Sequence, residues 1–167
     1  MVKHILVAAL LMAHVGEEKE GQDPSLAPTL VGSWRLSSYE DRDVAGAVVY
    51  PYGRSPAGML IYDSTGHMAI QIMKQPPPDV ATDDWDKFTV AERVALYDGY
   101  VAYFGRYEVD TDLGVVTHLP EADLSRLYIG RREVRHFELA ADRLVLSERW
   151  TQSGREWSGL RVFERLK

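Results

Sequence analysis

The stretch Leu30-Val31-Gly32-Ser33-Trp34-Arg35-Leu36 decides the fold that this 167-residue sequence predicts. Gly32 permits a sharp backbone bend, and Trp34 follows as one of the first side chains of a predicted strand. A buried indole needs a wide apolar surface and one acceptor for its N–H. A small β-barrel offers both, because bulky side chains must plug its closed end.

An arginine near the other end of the chain matches this tryptophan. Arg165 follows Phe163 and Glu164 at the end of the last strand-like run. Stacked on Trp34 and shielded from water, its guanidinium would contribute about 1 kcal/mol or more. The first and last strands would then be neighbours, as barrel closure requires.

This pattern carries a resemblance to a known family. Gly-x-Trp at the start of the first strand, answered by an arginine near the end of the last, resembles the lipocalin signature, here Gly32, Trp34 and Arg165. The chain resembles the bacterial and fungal lipocalin-like domain family in particular. The stretches that carry the resemblance are Val31–Leu36, Tyr50–Met73, Tyr97–Asp110, Val116–Leu119, Arg135–Leu146 and Phe163–Arg165. It implies a calycin-type barrel but no single activity, because common folds host unrelated functions.

Composition excludes several classes of function. Hydrophobic residues make up 46% and charged residues 26% of the chain, which is ordinary for one globular domain. The net charge of −6 argues against nucleic acid or an anionic membrane as partner, since both select basic surfaces. Cysteine is absent, so disulfides, thiolate nucleophiles and cysteine-based zinc sites are excluded.

The N-terminal residues are typical of a secretory signal. Lys3 and His4 precede an apolar run over residues 5–13, which is too short to span a bilayer. We therefore expect a signal peptide over 1–16, a linker over 17–29 and a barrel domain over 30–167. The protein would be periplasmic or secreted, and the mature chain would not insert into a membrane. The alternative is a flexible tail or a short added strand on a cytoplasmic protein.

Alternating apolar and polar residues predict the fold class. Eight to ten short antiparallel strands favour an all-β, single up-and-down barrel over a sandwich. One short mid-chain helix is expected over residues 90–98, because Thr89 and Glu92 form a capping box. Lipocalins carry their helix near the C-terminus, so this position departs from the family pattern. A helix here would suit a lid over one mouth of the barrel.

Turn residues set the expected strand registers. A turn over 63–66 would place Tyr62 opposite His67 and would direct five apolar side chains inward, namely Met59, Ile61, Met68, Ile70 and Ile72. A second turn over 111–114 would place Tyr107 opposite His118. In later hairpins Arg135 would face Glu148, and Trp150 would face Trp157.

Strand alternation then gathers polar side chains inside the barrel. The expected cluster is Tyr103, Tyr107, His118, Arg135 and Glu148, with Met59, Met68 and Ile70 on the apolar wall. Gly105 would leave room beside it. One interpretation is structural, with Arg135–Glu148 as a buried ion pair and Tyr107–His118 as a cross-strand pair.

The other interpretation is a ligand site, because apolar walls with a few convergent polar groups are typical of small-molecule pockets. His118 could then transfer protons, Tyr107 could donate to an oxyanion or enolate, and Arg135 could hold a carboxylate or phenolate. No nucleophile elbow or phosphate loop is present, and no cofactor is expected. His67 and His136 are expected at the surface, and no histidine spacing indicates a metal site.

Three hypotheses of function follow. The first is a protein that binds a small hydrophobic or aromatic molecule in an internal pocket. The second is a cofactor-independent isomerase, cyclase or hydratase that uses His118 and Tyr107 as catalytic residues. The third is a structural or interaction module with a filled barrel.

Overall fold

A computed structural model of the chain describes residues 30–167, so the expected signal peptide and linker lie outside the described residues. The chain forms β1 (Gly32–Asp43), β2 (Val48–Val49), β3 (Ala57–Tyr62), β4 (His67–Met73), helix α1 (Val90–Asp98), β5 (Tyr100–Asp110), β6 (Val115–Asp123), β7 (Glu133–Ala140), β8 (Arg143–Gln152) and β9 (Arg155–Arg165).

Eight of these strands close into an antiparallel barrel. Neighbours follow chain order from β3 to β9, and β1 pairs with both β3 and β9. The short β2 adds only to the far end of β1, where Asp41 pairs with Val49. The expected all-β barrel with one mid-chain helix is therefore confirmed.

The pair that predicted closure lies at the seam of the barrel. Trp34 and Arg165 are register partners in the β1–β9 ladder, and the guanidinium carbon lies 4.0 Å from the centroid of the indole. The indole N–H donates to the carbonyl of Leu30 at 2.9 Å. Gly32 has a positive φ, and a Cβ there would lie 2.7 Å from Nη1 of Arg165, so glycine also makes room for the arginine.

One expected register is wrong. Tyr62 pairs with Met68 rather than His67, because the Asp63 carboxylate accepts the N–H groups of Thr65 and His67 and lengthens the turn by one residue. A one-residue slip exchanges the faces of a strand. Met59 and Ile61, expected inside, are therefore 43% and 39% exposed. Leu60 and Tyr62 are buried in their place.

Other expected registers and the helix are confirmed. Tyr107 pairs with His118, and Trp150 pairs with Trp157. The Thr89–Glu92 capping box begins α1 as expected. Among residues 30–167, no helix has the length and apolar content needed to span a membrane.

Two bulges change which side chains face inward. Ser37 is an extra residue in β1, since Leu36 pairs with Phe163 and Ser38 with Val162. Tyr39 and Asp41 consequently join Trp34 and Leu36 on the inner face, although their sequence parity differs. The second bulge, at Glu121 in β6, lies beside Gly105.

The sequence suggested that Gly105 leaves space in the cavity, but its role is different. A Cβ there would lie 2.1 Å from the backbone oxygen of Leu119 and 2.8 Å from the nitrogen of Glu121. The residue is glycine because the bulged β6 backbone approaches it closely.

Candidate functional site

A cavity of about 860 Å³ opens at one end of the barrel, opposite the end that the Trp34 side chain closes. Ile70, Ile72 and Val101 line an apolar wall on β4 and β5. The facing wall, on β7, β8, β9 and β1, carries the charged residues Arg135, Glu148, Arg161 and Asp41. The cavity therefore has one apolar side and one ionic side.

His118 sits at the floor of this cavity between two tyrosines. Its side chain is fully buried, with Nε2 2.5 Å from the hydroxyl of Tyr62 and Nδ1 2.7 Å from the hydroxyl of Tyr103. Tyr62 is buried in the core, whereas Tyr103 lines the cavity. The three groups form a chain of hydrogen bonds from the core to the cavity.

The surroundings of His118 keep it neutral. Burial, and secondarily the charge of Arg135, lower the pKa of His118 well below its usual range. Burial raises the pKa of Tyr103 to about 12 and that of Tyr62 well above its ordinary value. A neutral imidazole has one donor nitrogen and one acceptor nitrogen, so one tyrosine donates to His118 and the other accepts.

Of the two tyrosines expected near His118 on β5, Tyr103 and not Tyr107 hydrogen-bonds with its ring. Tyr107 is the cross-strand neighbour of His118, but its hydroxyl donates to the backbone carbonyl of Asp63 at 2.8 Å, in the turn at the closed end. Tyr107 is absent from the residues lining the cavity. The proposed donation from Tyr107 to a ligand is therefore not supported. Tyr103 is the tyrosine that both contacts His118 and lines the cavity.

Arg161 joins two carboxylates across the ionic wall. Its side chain is 7% exposed, and it lies 2.8 Å from Asp41 and 3.0 Å from Glu148. Nη1 also donates to the carbonyl of Glu40 at 2.7 Å, and the guanidinium carbon lies 3.5 Å from the ring centroid of Tyr39. Opposite charges at these distances in a buried wall hold one another in place.

A glycine creates the space for Arg161. Gly159 pairs with Asp41 on one side and with Glu148 on the other. A Cβ at this position would lie 2.6 Å from Nη1 of Arg161. The guanidinium therefore lies directly over Gly159, between the two acids.

Arg135 extends the ionic wall towards Tyr103. Its Nε lies 3.3 Å from Glu148, confirming the expected ion pair, and Nη1 donates to the carbonyl of Glu133 at 3.0 Å. The side chain is 14% exposed. Burial opposes the charge, but Tyr103 and Glu148 outweigh it and raise the pKa of Arg135 above its ordinary value. The guanidinium is charged at every physiological pH.

Asp41 has a less complete set of partners. Its Oδ1 is buried, and no hydrogen bond of good geometry reaches it from residues 30–167, so the 2.8 Å contact with Arg161 is an ion pair without an aligned N–H. Burial raises the pKa of Asp41, and Arg161 opposes the shift. The carboxylate lines the cavity beside Tyr39 and Tyr52.

Aromatic and apolar side chains surround the entrance. Tyr39 and Tyr52 pack edge to face with ring centroids 4.8 Å apart. Tyr97 of α1, Tyr128 and Trp150 also line the opening. Helix α1 therefore lies beside the open end of the barrel, as expected, and its last residues, Tyr97 and Asp98, border the cavity.

The remaining candidates divide between the core, the cavity and the surface. Ile70 lines the cavity, and Met68 lies in the core below it. Met59 faces away from the interior and cannot line the pocket, which corrects its expected role. His67 and His136 are exposed as expected. Within the described chain, no three His, Asp or Glu side chains are placed to hold a metal ion.

Sequence reasoning missed four residues of the site, namely Tyr39, Asp41, Tyr62 and Arg161. Simple alternation places Tyr39 and Asp41 on the outer face because it does not include the β1 bulge. It places Tyr62 on the outer face because the expected β3 register is wrong by one residue. Alternation could have found Arg161, because Trp157, Gly159, Arg161 and Phe163 share one face of β9.

A family model described as a lipocalin-like domain matches residues 31–164. No curated protein and no solved structure matches the chain.

Proposed function

Because this chain belongs to the lipocalin-like domain family, we propose that it binds a small apolar or aromatic molecule inside its barrel. The observation that carries this proposal is the open cavity of about 860 Å³, which has an apolar wall on one side and charged and hydroxyl groups on the other. Sites for small molecules have this size, and polar groups in them fix the orientation of the ligand. A filled barrel, the structural hypothesis, would leave no such volume.

Two measurements test the proposal. Native mass spectrometry of freshly purified protein should reveal a bound small molecule that dissociates on unfolding. Independently, the fluorescent probe 8-anilinonaphthalene-1-sulfonate should bind the purified chain, with its emission enhanced by the apolar wall.

A pair of variants on one strand locates the bound probe. Val101 lines the cavity, so Val101→Trp should fill it and weaken probe binding about tenfold or more. Phe104 is 55% exposed on the outer face, so Phe104→Trp should leave probe affinity unchanged. Equal affinity in the two variants, with no co-purified molecule, would contradict binding in the barrel.

A second candidate is a cofactor-independent isomerase, cyclase or hydratase. The observation that favours it is the Tyr62–His118–Tyr103 hydrogen-bond chain, which connects a buried neutral imidazole to the cavity. A proton could pass between a substrate, Tyr103 and His118. On any substrate found, His118→Gln would keep a polar group and remove proton transfer. Unchanged turnover would remove His118 from the mechanism.

We also propose export of the protein, supported by Lys3, His4 and the apolar run over residues 5–13. The mass of the chain recovered from its native host tests this. Loss of about the first 16 residues supports export, and an intact N-terminus in the cytoplasmic fraction contradicts it.

A further inference from the structure

The hydrogen bonds around His118 have a defined direction. Tyr62 is buried, and within the described chain its hydroxyl has one hydrogen-bond partner, Nε2 of His118. A buried hydroxyl left without an acceptor is costly, so Tyr62 donates and Nε2 accepts. In a neutral imidazole the proton is then on Nδ1, which donates to the oxygen of Tyr103.

This direction leaves the proton of Tyr103 available to the cavity. The oxygen of Tyr103 already accepts from Nδ1, so its own O–H cannot point at His118. Tyr103 lines the cavity, and its hydroxyl therefore presents a donor to whatever occupies that space.

Arg135 presents a second donor at the same place. Its Nε faces Glu148 and its Nη1 donates to the carbonyl of Glu133. Nη2 makes no hydrogen bond within residues 30–167, although it carries two N–H groups. Arg135 and Tyr103 both line the cavity, and the charge of Arg135 acts on the Tyr103 hydroxyl, so the two donors lie near each other at the cavity floor.

The upper part of the cavity suits a flat ring system. Ile72 and Val101 form one wall, and the rings of Tyr39, Tyr52 and Trp150 lie towards the entrance. Aromatic side chains bind planar rings by offset or edge contacts that add to the burial of apolar area.

We propose that the ligand is a planar aromatic molecule carrying an oxygen acid, a carboxylic acid or an acidic phenol, whose acidic oxygen lies between Tyr103 and Arg135. This inference rests on the proposed function, because it names the chemistry of the molecule that the barrel holds. Two converging donors, one of them charged, select an acceptor oxygen and favour its ionised form.

A matched pair of ring compounds tests the inference. 2-Naphthoic acid and 2-naphthamide share one ring body, and calorimetric titration at pH 7.5 measures both affinities. We expect the acid to bind about tenfold or more tightly than the amide, since a hydrogen bond to a charged partner is worth about 1.5–3 kcal/mol. Equal affinities would overturn the inference and leave barrel binding intact. Binding of neither compound would count against both.

Two arginine variants test which residue causes the preference for the acid over the amide. Arg135→Gln should reduce the preference for the acid to less than about threefold, with the affinity for the amide little changed. Arg143 is an exposed arginine at the closed end and does not line the cavity, so Arg143→Gln removes the same charge and should keep the full preference. A preference retained in Arg135→Gln would overturn the assignment.

A measurement on the unaltered protein covers the case in which Arg135→Gln fails to fold. 4-Nitrophenol changes its visible absorbance on ionisation, so its pKa can be followed while bound. We expect the bound phenol to ionise about one pH unit or more below the free phenol, because both donors stabilise the phenolate. A bound pKa equal to or above that of the free phenol would overturn the inference.

Discussion

Arg165 lies with its guanidinium carbon 4.0 Å from the ring centroid of Trp34, and the two residues are partners in the ladder that joins the first barrel strand to the last. The same guanidinium donates to the carbonyl of Val31 at 2.8 Å. One side chain therefore covers the buried indole and ties the start of β1 to the end of β9.

Arg165→Met should lower the free energy of unfolding by about 1–3 kcal/mol, because it removes the cation–π contact and the hydrogen bond to Val31 while keeping an apolar stem. Urea unfolding followed by tryptophan fluorescence measures the change. Arg155→Met, at the exposed start of β9, is the control and should change stability by less than about 0.5 kcal/mol. Equal effects of the two substitutions would show that Arg165 does not hold the seam.

Gly159→Ala should cost about 2–4 kcal/mol of stability, because the new Cβ would lie 2.6 Å from Nη1 of Arg161 and displace it from Asp41 and Glu148. Ser158→Ala, the neighbouring position on β9, should have little effect. In an Arg161→Met background, Gly159→Ala should lose most of its cost, a coupling that a double-mutant cycle reports. An unchanged cost in that background would mean that the backbone, not Arg161, requires the glycine.

The free energy of unfolding should fall at acidic pH because His118 is buried in its neutral form. Its pKa in the folded state is below the ordinary value near 6.5, so the unfolded chain binds the proton first. The contribution is complete above about pH 6.5 and declines below it, by at most about 1.4 kcal/mol per pH unit. Urea unfolding between pH 5 and pH 8 should show a shallower slope in His118→Gln than in the exposed control His136→Gln. The same slope in both variants would argue against a neutral, buried His118.

Asp63→Ala should destabilise the first hairpin by about 1–2 kcal/mol, because the carboxylate accepts the N–H groups of Thr65 and His67. Ser64→Ala, in the same turn, should be nearly neutral. Amide hydrogen exchange should speed up at β3 and β4 in the Asp63 variant alone. Faster exchange in both variants would indicate that turn composition, not the carboxylate, sets the register.

The sequence predicted the parts of this fold that depend on local signals or on one conspicuous pair. The turns after Asp110 and Gln152 carry glycine at a positive φ, and the hairpins they connect have the expected registers. Helix α1 begins at its capping box for the same local reason. The Trp34–Arg165 contact is distant in sequence, yet a family resemblance predicted it.

Alternation failed where one extra residue changed the count. The Asp63 carboxylate lengthened the turn between β3 and β4, so Tyr62 faces the interior and Met59 faces outward. The Ser37 bulge turned Tyr39 and Asp41 towards the inside of the barrel. Neither event leaves a strong signal in the residues themselves, because each depends on pairing with another strand. The polar cluster was accordingly predicted in part, with His118 and Arg135 in place and Tyr107 assigned to the wrong end.

The barrel has short turns at its sealed end, over 63–66, 111–114 and 141–142, whereas long connections over 74–99 and 124–132 surround its entrance. Redesign can therefore treat the two ends separately. If the barrel binds a small molecule as proposed, exchanging the long connections would change which molecules enter and how fast they leave, and Trp34 would continue to hold the scaffold together beneath them.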